Sequence, residues 1–147
     1  CYGEWDTPSR LIPDLISKYL RNEEAVISNL GQQQRDFVHA CDVCRCLLLC
    51  LEKAGQLPPA STLEVGAGST RSIREIAALI KSLVQDAPSR ALSSGSSYRE
   101  NKVMFSRANP NPVRNVLNWK PVISLEDGLT RTIEWQRSLL QPQASLN

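Results

Sequence analysis

The sequence predicts a mixed α/β fold, because short apolar runs alternate with longer segments whose apolar residues recur every three or four positions. Ala25-Val26-Ile27-Ser28 is typical of a strand, whereas residues 11–20 have helical spacing. Ser72 and Glu75 form a capping-box pattern, which marks the start of a further helix. With 147 residues, 41% hydrophobic and 22% charged, the chain has the size and composition of one globular domain.

Charge and hydropathy exclude two classes of partner. The formal net charge is +2, and the basic residues are interspersed with acidic ones, so the sequence offers no basic patch for nucleic acid. The longest uncharged apolar run, Cys46 to Leu51, is far shorter than the roughly 20 residues that cross a bilayer. We therefore expect neither nucleic acid nor a membrane as a partner.

In the first third of the chain, Ser9 is the predicted N-cap of a helix that should start at Ser9 or Arg10, with apolar positions from Leu11 to Leu20. Pro13 falls in its first turn, where proline is tolerated. The strand over 25–28 ends at the turn formers Asn29 and Gly31.

A second strand is predicted over 37–39, followed by a helix from Asp42, its expected N-cap, to about Lys53. The residues that this helix is expected to bury are Val43, Leu47 and Cys50.

In the second half, a strand over 62–65 is predicted to end in Gly66-Ala67-Gly68, ahead of the capping-box helix. The Pro/Ser/Gly-rich stretch 86–97 is predicted as a loop, and 103–105 as a short strand. Pro112 should open a short helix ending at Leu117. A final helix is expected to use Ser124 and Asp127 as its capping pair and to bury Leu125, Leu129, Ile133 and Leu140. The tail, 141–147, should fray.

Five cysteines stand at positions 1, 41, 44, 46 and 50. On a helix after Asp42, Cys46 and Cys50 share a face while Cys44 points elsewhere, so four thiolates cannot meet around one tetrahedral ion. Small buried thiols are the favoured interpretation, and a redox pair of Cys41 and Cys44 or a metal site are the alternatives. An odd, clustered set of cysteines favours the reducing cytoplasm.

The stretch Arg35-Asp36-Phe37-Val38-His39, with Asp42 three residues on, resembles a segment of the extended short-chain dehydrogenase/reductases that act on sugar nucleotides. These are the NAD-dependent nucleotide-sugar epimerases and 4,6-dehydratases. Further stretches match in the family's order: Ser9-Arg10-Leu11-Ile12-Pro13-Asp14, Val65-Gly66-Ala67-Gly68 leading to Ser72-Ile73-Arg74-Glu75, and Leu117-Asn118-Trp119-Lys120-Pro121 leading to Thr132-Ile133-Glu134-Trp135. Gly3-Glu4-Trp5 is nearest the CDP-glucose 4,6-dehydratases, whereas 35–39 is nearer the UDP-sugar 4-epimerases.

The resemblance implies that residues 1–140 are the C-terminal, nucleotide-sugar-binding portion of such an enzyme. It would comprise the small substrate domain and the last strand and helix elements of a Rossmann-type fold, with the N-terminal dinucleotide-binding part absent. NAD(P) would be bound mainly by that N-terminal half, and none is expected on this segment alone. The parent is expected to be a cytoplasmic homodimer.

The resemblance also implies a substrate site. Arg35 would bind the diphosphate and Arg99 would be the second nucleotide-binding arginine, whereas the segment 10–13 would flank base and ribose. The predicted substrate-binding residues are therefore Arg35, Arg99, Arg10, Leu11, Ile12 and Pro13. The alternatives are an exposed salt bridge for Arg35, a solvated position for Arg10, and core packing for the other three residues of 10–13.

Three features resemble parts of a cofactor-binding or catalytic site but are not interpreted as such. The glycine turn at 66–68 lacks the third glycine of a dinucleotide fingerprint, since Arg71 stands there. Tyr98 and Lys102 have the Tyr-x-x-x-Lys spacing of the family's catalytic pair but follow a Ser/Gly loop. His39 is expected to bond a neighbouring backbone group rather than act as a base. No catalytic residue and no metal ligand is assigned, and the alternative functions are a non-catalytic α/β interaction domain or a thiol redox protein.

Overall fold

The computed structural model describes residues 1–84, 92–95 and 103–140. Its α-helices are α1 (Leu11–Leu20), α2 (Ala40–Glu52), α3 (Ile73–Leu83), α4 (Asn111–Leu117) and α5 (Leu125–Leu140). Its strands are β1 (Ala25–Ser28), β2 (Gln34–Arg35), β3 (Arg71–Ser72), β4 (Leu92–Gly95) and β5 (Phe105–Ser106). The predicted mixed α/β class is confirmed.

The strands form two small sheets. β1 pairs in parallel with β4, with Ala25 opposite Leu92. β2 is the middle strand of the other sheet, antiparallel to β3 and parallel to β5, so that Arg35 lies opposite both Arg71 and Ser106. Arg35 is thus held on a strand that is bonded on both sides.

The main core lies between α1, α3 and α5. Each of these helices has an apolar stripe, and the stripes meet around residues such as Ile16, Ile76 and Leu129, which are fully buried. The capping box predicted for α3 is present, since Ser72 Oγ accepts from the Glu75 amide and Glu75 Oε2 accepts from the Ser72 amide. α5 begins as predicted, with the Asp127 amide donating to Ser124 Oγ.

A second core lies between α2 and α4 and centres on Trp119, which is fully buried. The indole Nε1 of Trp119 donates to the Asp42 carbonyl over 3.0 Å. This buried bond ties the segment before α5 to the first turn of α2.

Two predicted helix caps are wrong. Arg10, not Ser9, is the N-cap of α1, and its side chain makes no capping bond. α2 begins at Ala40 with His39 as its N-cap, because Nδ1 of His39 accepts the Cys41 amide over 3.2 Å. Asp42 therefore lies inside the first turn, and its carboxylate is directed to another part of the chain.

The predicted burial in α2 is wrong for Leu47, which is 58% exposed. Cys46 is buried in its place, whereas Val43 and Cys50 are half-buried as part of the second core.

Three predicted β assignments are wrong. The strand expected over 37–39 lies earlier, at β2, and His39 forms an isolated bridge with Tyr2. Residues 62–65 are irregular, because no neighbouring strand among the described residues pairs with them. β4 lies inside the stretch predicted as a loop, where parallel pairing with β1 overrides a Ser/Gly-rich sequence.

The strand and the short helix predicted in the C-terminal part agree with the structure to within a few residues. β5 lies at 105–106, next to the strand predicted at 103–105, and α4 ends at Leu117 as expected. Leu129 and Ile133 are buried, but Leu140 is 44% exposed. The tail, 141–147, lies outside the described residues. None of the helices in the described ranges combines the length and apolar character that a membrane crossing requires.

Candidate functional site

A cavity of about 430 Å³ is lined by Arg10 and Leu11 at the start of α1 and by Arg35 at the end of β2. These are three of the residues predicted from the sequence. They are brought together because α1 and β2 border the same cavity, whose apolar wall includes Val26, Ile27, Phe37 and Ile73. Gln33 and Asp36 also line the cavity, which therefore combines two guanidinium groups and one carboxylate with apolar surface.

The Arg35 guanidinium is held by uncharged acceptors. Nη1 donates to the Gln34 carbonyl over 2.7 Å and Nη2 donates to the Val103 carbonyl over 2.6 Å. Nη2 also lies 3.5 Å from Gln33 Oε1. No carboxylate in the described ranges forms an ion pair with Arg35, so the predicted alternative of a surface salt bridge is not seen there.

The segment 10–13 is divided between the cavity and the core. Arg10 is 56% exposed at its side chain and pairs loosely with Asp6, with Nη1 and Oδ1 3.5 Å apart. Ile12 is buried in the main core and Pro13 is buried beside it in the sequence, and neither lines the cavity. The substrate contact predicted for Ile12 and Pro13 stays a prediction, and core packing stays its alternative.

Arg99, the second predicted nucleotide-binding arginine, lies outside the described residues, as do Tyr98 and Lys102.

The carboxylate of Asp36 organises the loop beside the cavity. Its Oδ1 accepts the Ala67 amide over 2.8 Å, and its Oδ2 accepts the Gly68 amide over 2.9 Å and the Ala108 amide over 3.2 Å. Sequence reasoning missed this role, although the Arg35-Asp36 pairing in the motif placed a carboxylate next to the predicted guanidinium.

Asp36 also occupies the backbone amides of the glycine turn that a dinucleotide pyrophosphate would need. The amides of Ala67 and Gly68 that would meet a phosphate donate to Asp36 instead. A Cβ on Gly68 would lie 2.7 Å from Pro110 Cγ, so the open side of this glycine faces protein. The turn thus allows close approach of Asp36 and Pro110, and both of its amides are already bonded to a protein carboxylate.

Gly66→Ala should destabilise the protein by about 2 kcal/mol, the cost of overpacking a close contact. A Cβ at this position would lie 2.7 Å from Asp36 Oδ2 and 2.6 Å from Ala108 Cβ. Gly55→Ala is the matched control, because nothing lies within 4 Å of its Cβ position. Urea unfolding measures both, and equal midpoints for the two variants would contradict the close approach at Gly66.

The second carboxylate of the motif, Asp42, joins two parts of the chain. It is buried, and its oxygens accept the Val122 amide over 3.1 Å and the Ile123 amide over 3.0 Å. Arg45 Nη2 donates to Oδ1 over 2.7 Å. Burial by itself would raise the pKa of Asp42, but the hydrogen bonds from Arg45, Ile123 and Val122 hold the pKa below its usual value.

A smaller cavity, of about 330 Å³, is lined in part by Val122 and Ile123, whose amides donate to Asp42. It lies between Phe37 and Val38, the glycine turn with Arg71, and residues 121–125. It has one charged side chain in its wall, Arg71, whereas the larger cavity has two guanidinium groups, Arg10 and Arg35, beside the carboxylate of Asp36.

The cysteines divide into two groups. Cys46 is buried and Cys50 half-buried, as predicted for small core thiols, and burial raises the pKa of Cys46 to about 11. Cys1, Cys41 and Cys44 are exposed, so the favoured prediction is wrong for them. On α2, Cys44 lies two residues before the buried Cys46 and therefore about 200° around the helix from it. All five thiols are free.

Comparison with known proteins finds the resemblance that the sequence predicted. The sequence model of the NAD dependent epimerase/dehydratase family matches residues 1–66. CDP-abequose synthase of Salmonella typhimurium is 27% identical over 134 residues, which is 90% of this chain and 44% of that protein. dTDP-D-glucose 4,6-dehydratase of Homo sapiens is 28% identical over 145 residues, 92% of this chain and 39% of that protein. The chain thus spans less than half of the length of these relatives.

Solved structures agree. UDP-glucose 4-epimerase from Thermotoga maritima, solved with UDP-glucose, superposes with a TM-score of 0.82 at 26% identity, over 95% of this chain and 44% of that one. MoeE5, solved with UDP-glucuronic acid and NAD, superposes with a TM-score of 0.80 at 31% identity, over 95% of this chain and 45% of that one. The resemblance predicted from the sequence is therefore confirmed: over part of their length, the chain is similar to nucleotide-sugar epimerases and dehydratases.

Proposed function

We propose that this chain is the nucleotide-sugar-binding part of an NAD(P)-dependent nucleotide-sugar epimerase or 4,6-dehydratase. The observation that carries the proposal is the cavity of about 430 Å³ lined by Arg10, Leu11 and Arg35. Its volume lies within the roughly 300–1,000 Å³ of small-molecule sites.

The chemistry of this cavity suits a nucleoside diphosphate. A guanidinium keeps its charge at physiological pH, and its planar fork matches two phosphate oxygens. Arg35 has five N–H donors, and two of its short bonds go to carbonyl oxygens, which orient the group without neutralising it. Leu11, Val26 and Ile73 supply apolar surface for the base and the ribose.

The hydride chemistry is assigned to the rest of the parent enzyme. The relative MoeE5 was solved with NAD, but the glycine turn of this chain donates its amides to Asp36. We therefore infer that this segment positions the sugar nucleotide and transfers no hydride by itself. Incubation with NAD(P) and a panel of nucleotide sugars should give no turnover, and turnover above background would refute this inference.

α2 carries the evidence for a partner. One face packs into the second core through Cys46, whereas the opposite face presents Leu47, Leu48 and Leu51, which are 58, 59 and 74% exposed. A helix that is apolar on both sides is typical of a buried helix. Because the relatives are more than twice as long as this chain, we propose that the N-terminal half of the parent covers this leucine face. By the same resemblance we propose a homodimeric, cytoplasmic parent.

Leu51→Glu should have different effects in the parent and in the isolated chain. In the parent it should lower the free energy of unfolding by at least about 2 kcal/mol, the value of a buried leucine. In the isolated chain it should leave stability within about 0.5 kcal/mol and reduce self-association, because the site is exposed. Leu139→Glu is the control, since Leu139 is 61% exposed on a different helix. If Leu51→Glu changed the free energy of unfolding equally in both proteins, the proposed contact with the N-terminal half would be wrong.

The competing function is a non-catalytic interaction domain, which the exposed leucine face favours. Titration of the isolated chain with UDP, CDP and dTDP separates the two. Saturable binding that Arg35 controls supports the nucleotide-sugar function, and absence of binding to all three supports the interaction domain.

A further inference from the structure

A group of metal-ligating side chains lies away from the cavity, where Glu4, His39 and Cys41 come together. One carboxylate oxygen, one imidazole nitrogen and the Cys41 sulfur all lie within 4.8 Å of one another. His39 is buried, Glu4 is half-buried and Cys41 is exposed, so the group opens to solvent on the side of the thiol. The proposed nucleotide site uses none of these residues.

The imidazole has a polar atom without a hydrogen bond. Nδ1 of His39 accepts the Cys41 amide, so the neutral ring carries its proton on Nε2. Nε2 lies 3.2 Å from Glu4 Oε2, but its N–H is not aimed to bond that oxygen, and it has no other hydrogen-bond partner among the described residues. A buried polar atom in this state calls for an explanation.

Arg131 shows that the group attracts positive charge. Its Nη2 lies 3.3 Å from Glu4 Oε1 and 3.8 Å from Cys41 Sγ, so one guanidinium reaches two of the three ligand residues. The Arg131 side chain is 46% exposed, which allows it to turn outward into water. A cation that bound here would take its place.

We propose that Glu4, His39 and Cys41 form a binding site for a borderline-soft divalent cation of the Zn²⁺ class, in competition with Arg131. Imidazole nitrogen, thiolate sulfur and carboxylate oxygen are the donors that Zn²⁺ takes in proteins, and three of them leave a fourth position for water. Calcium and magnesium are disfavoured, because they require oxygen ligands.

Binding requires two local changes. Ligand atoms around one tetrahedral Zn²⁺ lie roughly 3.3–3.8 Å apart, so the group must contract by about 1 Å from its present span of 4.8 Å. The exposed Cys41 and half-exposed Glu4 side chains can supply this shift by rotation. Nε2 must also release its proton, and a shift of the proton to Nδ1 would break the bond from the Cys41 amide, so that amide reports on binding.

Zinc titration of the chelator-treated, reduced full chain by calorimetry tests the proposal, with Co²⁺ as a spectroscopic substitute. We expect one equivalent of Zn²⁺ to bind, a thiolate-to-cobalt absorption band, and a change in the Cys41 amide resonance. Cys41→Ser should weaken binding at least 10-fold and abolish the band, whereas Cys44→Ser, which alters an exposed thiol of the same helix outside the group, should change neither. Glu4→Gln should weaken binding without touching the helix cap.

Arg131→Gln gives the sharpest discrimination. If Arg131 competes with the metal, its removal should tighten Zn²⁺ binding at least 3-fold. If the residues form only an ion-pair network, Arg131→Gln leaves any adventitious zinc binding unchanged. The proposal is overturned if Zn²⁺ does not bind, if Cys41→Ser and Cys44→Ser weaken binding equally, or if Arg131→Gln does not tighten it.

Discussion

Asp42→Ala should lower the free energy of unfolding by about 3–4 kcal/mol, the range for removing one partner of a buried charged pair. The carboxylate is 1% exposed and accepts the amides of Val122 and Ile123 as well as Arg45. Without it, two backbone donors and a guanidinium lose their acceptor at the junction between α2 and the segment before α5. Chemical unfolding followed by tryptophan fluorescence, to which the buried Trp119 contributes, measures the change.

Asp14→Ala is the matched control for this result. Asp14 is also a carboxylate in the first turn of a helix, but its ion pair with Lys18 is at the surface and should contribute at most about 0.5 kcal/mol. If Asp42→Ala lowered the free energy of unfolding by less than about 1 kcal/mol, the bonds from Val122 and Ile123 to Asp42 would contribute little to the stability of the fold.

The stabilisation that Asp42 provides should depend on pH in a defined direction. The pKa of Asp42 is held below its usual value in the folded protein, against the effect of burial, by Arg45 and the two amides. The stabilisation is therefore fully present above the pKa of the unfolded chain, about 3.9, and is lost as the pH falls through the lower folded pKa. The stability difference between the wild type and Asp42→Asn should shrink below about pH 4.

Arg35→Ala in the parent enzyme should raise KM for the nucleotide sugar about 10- to 100-fold. This range corresponds to the roughly 1.5–3 kcal/mol of a hydrogen bond to a charged group. Arg35→Lys should lie between the wild type and the alanine variant, because it keeps the charge but loses the planar fork. Initial rates over a range of nucleotide-sugar concentrations measure the change.

Arg74→Ala is the control for Arg35. Arg74 also donates to a backbone carbonyl, that of Leu30, over 3.0 Å, but it does not line the cavity. An unchanged KM for Arg35→Ala, or an equal rise for Arg74→Ala, would remove Arg35 from the substrate site. Melting temperatures of both variants show whether loss of the carbonyl bonds alters the fold.

The elements that the sequence predicted well are those with strong local signals. α3 has a capping box and an apolar residue at each turn, and both features are present in the structure. Within 35–42, the residue types identified a segment with polar contacts, but they did not predict which partners those side chains bond. Asp42 was expected to cap its own helix, and its carboxylate bonds Ile123, 81 residues away, which no local pattern can show.

The β structure was predicted less well, because pairing partners decide it. Ser/Gly-rich residues at 92–95 form β4 because β1 is available to pair with them, whereas the more apolar 62–65 has no paired strand in the described ranges. For the site, the resemblance selected Arg10, Leu11 and Arg35, which share one cavity. It could not separate Leu11 from Ile12, since one turn of helix places one side chain in the cavity wall and its neighbour in the core.

The most direct test of the nucleotide-sugar site is a titration of the isolated chain with UDP, CDP and dTDP, followed by NMR of the arginine side-chain N–H and leucine methyl groups. We expect saturable shifts at Arg10, Leu11 and Arg35 with at least one nucleotide, and loss of these shifts in Arg35→Ala. Unshifted signals with all three nucleotides, or the same shifts in Arg35→Ala, would contradict the proposed site.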